Sequence, residues 1–144
     1  MTDEYYMNIA LKEAEKAASK GEIPIGAVIV CNGKIIAKAH NMVETLNDAT
    51  AHAEILAITS AEAVLQSKYL PNCTMYVTVE PCVMCAGAIH WAHIKKVVYA
   101  APDSKKGYSV FAPTLLKDRE ITTGILEHKA SYLMKDFFKK LRKK

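Results

Sequence analysis

The β-rich run from Thr74 to Val79 breaks at Glu80-Pro81, and two cysteines follow, Cys82 and Cys85. Proline favours the first turn of a helix, where its missing amide hydrogen would have had no partner, so Pro81 predicts a helix over Pro81 to His93. Both thiols then lie one turn apart on one face, near the positive end of the helix dipole, where thiolates are favoured. Taken alone, this spacing fits a disulfide redox pair, half of a structural zinc site, or two ligands of a catalytic metal. A third ligand or a redox context has to come from elsewhere in the chain.

The remaining segments set the frame for that strand and helix. Apolar positions at Tyr6, Ile9, Ala10, Ala14 and Ala17, with Gly21 placed to end the run, predict an amphipathic helix over residues 4–20. Pro24 to Val30 is a continuous apolar run, Asn32-Gly33 is a turn signal, and Lys34 to Ala39 alternates, which predicts a hairpin. Thr50 to Leu65 reads as helix and Lys95 to Ala100 as strand; Ile121 to Ile125 reads as a last strand before a helix near Leu126 to Leu141. Residues 101–116, with Pro102, Gly107 and Pro113, form the least regular stretch, a loop or short helix. Helices interleaved with strands in one small domain predict an α/β fold, a sheet covered on both faces.

Upstream of the cysteines stands Thr50-Ala51-His52-Ala53-Glu54, also at a predicted helix start. An imidazole and two thiolates leave a fourth position on zinc for water, the arrangement of a catalytic rather than a structural site. The carboxylate two residues from the histidine is then available for proton transfer. His-x-Glu alone is common and Cys-x-x-Cys alone is often redox or structural; the two together, with one strand between them, are far more specific. Glu80 reads as a structural residue, and His40, His90, His93 and His128 lack ligand spacing and read as surface or helix-face positions.

At 144 residues and 51% hydrophobic, the chain suits a single domain over 1–144. It holds no run of eighteen apolar residues, and Asp3, Glu4, Lys12, Glu13, Glu15 and Lys16 leave no apolar centre for a signal peptide, so a cytoplasmic, membrane-free location is expected. Four cysteines are too sparse for a disulfide-stapled scaffold. Cys31 and Cys73, without evident companions, are expected to be ordinary apolar-tolerant thiols. The net charge of +4 is unevenly placed: residues 135–144 hold six of the nineteen basic groups and one of the fifteen acidic ones, so the rest of the chain carries thirteen against fourteen. Such a cluster is either a solvated helix end or a surface for a polyanion.

His52-Ala53-Glu54 with Pro81-Cys82-Val83-Met84-Cys85 resembles the signature of the zinc-dependent nucleoside and nucleobase deaminases. The likeness extends to Glu22 through Val28, Thr50 through Ile55, Tyr76 through Ala88 and the Asp136-Phe137-Phe138-Lys139 run, which are similar to the bacterial tRNA adenosine deaminases across nearly the whole length. That resemblance implies a three-layer α/β/α, cytidine-deaminase-like fold with a five-stranded mixed sheet, a homodimer, and one Zn2+ per chain held by His52, Cys82 and Cys85. It implies Glu54 as the catalytic proton shuttle and Asn41, Ala53, Asp103 and Lys105 as substrate contacts. The implied reaction is hydrolytic deamination of adenosine to inosine at the wobble position of the tRNA anticodon loop.

The chain also departs from that pattern. Asp48-Ala49-Thr50 stands where Asp-Pro-Thr is usual, Tyr108 to Phe111 replaces smaller residues after Gly107, and His93 replaces an arginine. Ala88 to Ala92 resembles the guanine deaminases, so a free nucleobase of salvage metabolism is the alternative substrate. A zinc-stabilised RNA-binding module without catalysis is a third reading. Glu54 speaks against that third reading, since a structural site has no use for a carboxylate that is not a ligand, and the basic cluster speaks against a neutral base.

Overall fold

A computed structural model describes residues 1–143; Lys144, one of the six cations counted in the basic cluster, lies outside the described residues. Its elements are α1 (Asp3–Ser19), β1 (Gly26–Cys31), β2 (Lys34–His40), α2 (Val43–Leu46), α3 (Ala53–Leu65), β3 (Cys73–Val79), α4 (Val83–Trp91), β4 (Lys96–Ala101), α5 (Tyr108–Phe111), β5 (Glu120–Thr123) and α6 (Glu127–Arg142). The strands form one five-stranded mixed sheet in the order β2-β1-β3-β4-β5. β1 runs antiparallel to both β2 and β3, whereas β3, β4 and β5 are parallel. β2 therefore points the same way as β3 to β5.

Period-two alternation splits the sheet's side chains between two layers. Ala27, Ile29, Met75, Val77, Val97 and Tyr99 face Ala53, Ala57 and Ala61 of α3 and Ala86 and Ile89 of α4. Val28, Val30, Tyr76, Val98 and Ala100 face Met7, Ala10 and Leu11 of α1 and Ala130 of α6. Every residue of β1 is buried, which explains why its sequence is apolar without alternation. Gly26 is needed where α1 crosses β1, because a Cβ there would collide with the Ala10 carbonyl and the Ala14 amide.

Parallel β2 and β3 each feed a helix on the same face of the sheet, α3 and α4, so the N-termini of both helices emerge at the same sheet end. Ligand sites in open α/β sheets form in such a place, beyond the carboxyl ends of the strands.

Several boundaries differ from expectation for local reasons. Residues 50–52 stay outside the helix: Asp48 Oδ1 accepts both the amide and the hydroxyl of Thr50 at 2.8 Å, which holds Thr50 in a turn, and His52 is extended, so α3 begins at Ala53 rather than Thr50. The four-residue α2 is unpredicted; it lies between Asn41 and His52 in an exposed segment. Pro81 precedes α4 instead of opening it, and Cys82 is the N-cap with extended ψ of 174°. The Pro81 carbonyl instead accepts the Tyr108 amide at 2.9 Å.

The expectation that Cys31 and Cys73 lack companions is overturned. They face one another in register across β1 and β3 with a Cα–Cα distance of 4.2 Å and are joined as a disulfide. A sequence separation of 42 residues hid an antiparallel pairing that only the sheet register reveals. His40 is not a surface residue either: its Nδ1 lies 3.2 Å from the buried Glu13 carboxylate and its Nε2 lies 3.2 Å from Lys20 Nζ. His93 is exposed, at φ 61°, with its ring stacked on Tyr69. Among the described residues no helix is long and apolar enough to cross a membrane.

Candidate active site

His52 and Cys82 occupy equivalent places, as the N-caps of α3 and α4. An N-cap side chain ordinarily accepts a hydrogen bond from its own helix. Neither does so here; both side chains turn instead toward Cys85, one turn into α4. His52 Nδ1 lies 3.6 Å from Cys82 Sγ and 3.5 Å from Cys85 Sγ, and all three donor atoms fall within 4.8 Å of one another. A tetrahedron built on zinc bonds of about 2.0–2.3 Å has edges of about 3.5 Å, so nitrogen and two sulfurs fit that ion in both chemistry and spacing.

The electrostatics favour the same ligand set. A hydrogen bond from the Cys85 thiol, with a further one from His52, outweighs partial burial and holds the Cys82 thiol down at about 4. Cys85 is pushed well above the ordinary thiol range by that same bond to Cys82 and by burial. His52 is raised, chiefly by its hydrogen bond to Cys82. One thiolate is therefore ready before metal arrives, and the second proton must leave on binding.

Glu54, in the first turn of α3, is 3% exposed. Burial raises its carboxyl to about 7, with the Cys82 charge adding to that effect. A carboxyl poised near neutrality can both take and give a proton.

These groups open onto a cavity of about 470 Å³ whose walls include Glu22, Asn41, His52, Ala53, Glu54 and, from α6, Phe137, Phe138 and Leu141. Asn41 is buried, with Oδ1 accepting the Val43 amide at 3.3 Å and Nδ2 donating to the Ile23 carbonyl at 3.4 Å. Asp103 and Lys105 lie outside this cavity, on the loop that follows β4. There Asp103 Oδ1 accepts the amides of Lys105 and Lys106 at 3.1 and 3.0 Å. Phe137 and Phe138 are half-buried cavity residues, stacked edge to face at 5.3 Å, and the fully buried side of α6 is Ala130. The role of Glu22 in the cavity wall was unforeseen from sequence.

Residues 1–101 match the model of the cytidine and deoxycytidylate deaminase zinc-binding region. The chain belongs to this deaminase family. The tRNA-specific adenosine deaminase of Aquifex aeolicus is 47% identical to it, over 99% of this chain and 97% of the relative. A solved tRNA:A34 deaminase, from a study of A-to-I editing at the wobble position of transfer RNA, superposes with a TM-score of 0.85 at 40% identity, covering 90% of this chain and 98% of that one. The guanine deaminase of Nitrosomonas europaea is more distant in sequence, with a TM-score of 0.82 at 28% identity over 93% of this deaminase and 83% of the other. As a zinc-binding deaminase, the chain has in His52, Cys82 and Cys85 a ligand set for one ion.

Proposed function

We propose that this deaminase hydrolyses adenosine to inosine at the wobble position of the tRNA anticodon loop, releasing ammonia. The observation that carries the reading is the near-complete match to tRNA-specific adenosine deaminases, which takes in α6 and its cations as well as the metal site. Zinc held by His52, Cys82 and Cys85 would act as the Lewis acid that makes water nucleophilic near neutral pH. Glu54 accepts the proton that the attacking water gives up and passes it to the ring nitrogen, then carries a second proton, from the new hydroxyl at C6, to the amino group, which leaves as ammonia. Asn41 and Ala53, in the cavity wall, orient the purine, and Asp103 and Lys105 meet the flanking sugar and backbone. Phe137 and Phe138 close the far side of the cavity and exclude water from the base.

The protein acts as a cytoplasmic homodimer in this reading. Val83, Met84 and Trp91 on α4 and Val110 and Phe111 on α5 are all exposed, Trp91 by 74%, and a second copy would cover them.

The deciding experiment incubates the purified protein separately with total tRNA, guanine, cytosine and adenosine and follows ammonia, with inosine at the wobble position read by sequencing. Release from tRNA is expected. Efficient release from guanine with none from tRNA would replace this reading with base salvage.

A further inference from the structure

We propose that Glu22 and Glu80 are positioning residues that clamp the two loops flanking the metal site, one setting the purine wall and the other the wall that meets the nucleic-acid backbone. The inference rests on the deamination reading.

Glu22 precedes β1 and Glu80 follows β3. Because these strands are antiparallel neighbours, with Ala27 opposite Val77, the two carboxylates emerge at the same end of the sheet, where α3 and α4 begin. They are 1% and 5% exposed. Each accepts three hydrogen bonds in the same pattern. Glu22 takes the Glu44 amide on one oxygen at 3.0 Å, and the amide and hydroxyl of Thr45 on the other, both at 2.6 Å. Glu80 takes the Asp103 amide at 3.0 Å on one oxygen, and the amide and hydroxyl of Ser109 at 3.0 and 2.6 Å on the other. Glu22 reaches to the segment that follows β2 and Glu80 to the loop that follows β4.

The segment that Glu22 holds is otherwise loosely attached. Residues 44–50 are all exposed, and the remaining backbone bonds of that segment are mostly internal, such as Leu46 to Met42 and Asp48 to Val43. The same segment joins Asn41 to His52, and Asn41 itself is fixed by the Val43 amide one residue from the clamp. On the other side Ser104 to Lys106 are exposed, and Glu80 fixes the loop at Asp103 and Ser109, beside the bond from the Tyr108 amide to the Pro81 carbonyl. A Cβ on Gly107 would fall on the Glu80 carboxylate, so this loop is closed tightly around its clamp. Buried carboxylates with every partner satisfied are rigid supports, whereas removal of the acceptor frees the loop donors from the body of the protein.

Glu22→Gln and Glu80→Gln replace one acceptor oxygen by a donor at each clamp. In Glu22→Gln, amide exchange measured by NMR should quicken at Glu44 and Thr45 and stay slow at Asp103 and Ser109, with kcat on an anticodon stem-loop falling about tenfold or more through misplacement of the base. Glu80→Gln should show the opposite exchange pattern, with a rise in KM larger than its loss of kcat. Zinc should remain at one per chain in both. Locally faster exchange with unchanged kcat and KM would overturn the proposal, as would zinc loss or faster exchange throughout the molecule, either of which marks a purely structural role. If either variant fails to fold, Thr45→Ala and Ser109→Ala each remove a single donor and should move the same parameters in the same directions; unchanged kinetics there would also overturn it. A wild-type chain inert on the stem-loop but active on guanine sinks the tRNA reading alone. The clamps are then tested on guanine, where Glu22→Gln must impair turnover more than Glu80→Gln, and equal effects overturn the inference.

Discussion

At Glu54 the carboxyl has lost its water without gaining the set of donors that Glu22 and Glu80 enjoy, and that difference decides what each glutamate can do. Burial lifts Glu54 to about 7, while at Glu22 burial acts the same way but is outweighed by Thr45 and the amides of Glu44 and Thr45, which keep the group below its ordinary range. Glu54→Gln is therefore expected to keep its zinc and lose about 10²–10⁴ in turnover, checked by metal analysis beside ammonia release. In Cys85→Ser the ion loses a thiolate held fully buried at the junction of both helix starts, so zinc should fall well below one per chain by elemental analysis. The ligand residues were legible in the sequence because His-x-Glu and Cys-x-x-Cys carry their chemistry in short spacings. Glu22 was not, because its partners lie more than twenty residues away on an exposed segment with no apolar period to betray it.

The elements repeat this contrast between local and distant information. Strands and long helices were readable because their burial imposes a period, as in α1, where Tyr6, Ala10, Ala14 and Ala17 return to one face. The four-residue α2 has no buried residue and so leaves no period. Pro81 suggested a helix start two residues too early because proline at N1 and proline just outside the N-cap look alike until Tyr108 is seen bonded to its carbonyl. Gly107 offers a test of the loop beside α4. Gly107→Ala places a methyl against the Glu80 carboxylate, and overpacking of this kind costs about 1–3 kcal/mol, visible as a lower denaturant midpoint. α6 offers another, since Lys135, Lys139, Lys140, Arg142 and Lys143 are all exposed and, among the described residues, only Lys140 of these five has an acidic partner, Asp136 at 3.0 Å. Each phosphate met on a single strand contributes about −0.7 to the slope of log K against log salt, so three or four contacts give about −2 to −3. Changing these cations to glutamine should flatten that slope in tRNA binding, and a slope unchanged by the substitution would place the RNA elsewhere.

For the whole molecule, two buried carboxylates with lowered pKa set the response to acid. Glu13 is held down by Lys16 and His40 against its burial, and Glu22 by its three donors. Both groups ionise more readily folded than unfolded, so their stabilisation is complete above the ordinary glutamate value of 4.5 and is lost as pH falls through their folded values below it. Thermal midpoints should drop on acidification through this window, and the drop should be smaller in Glu22→Gln, which has nothing to protonate there. The hairpin of β1 with β2 was legible from its turn, but the sheet order and the pairing of β1 with β3 were not, since strand patterns state which face is buried but not which distant neighbour is paired; hence the surprise at Cys31 and Cys73. α6, packed with α1 on one face of the sheet, reaches around its end with Phe137, Phe138 and Leu141 to wall a cavity whose metal donors all come from the opposite layer. On the ribosome this separates two events in time. Cys85, the last of His52, Glu54, Cys82 and Cys85, is synthesised some fifty residues before Phe137, so the donors are all made while the cavity still lacks the wall that α6 supplies.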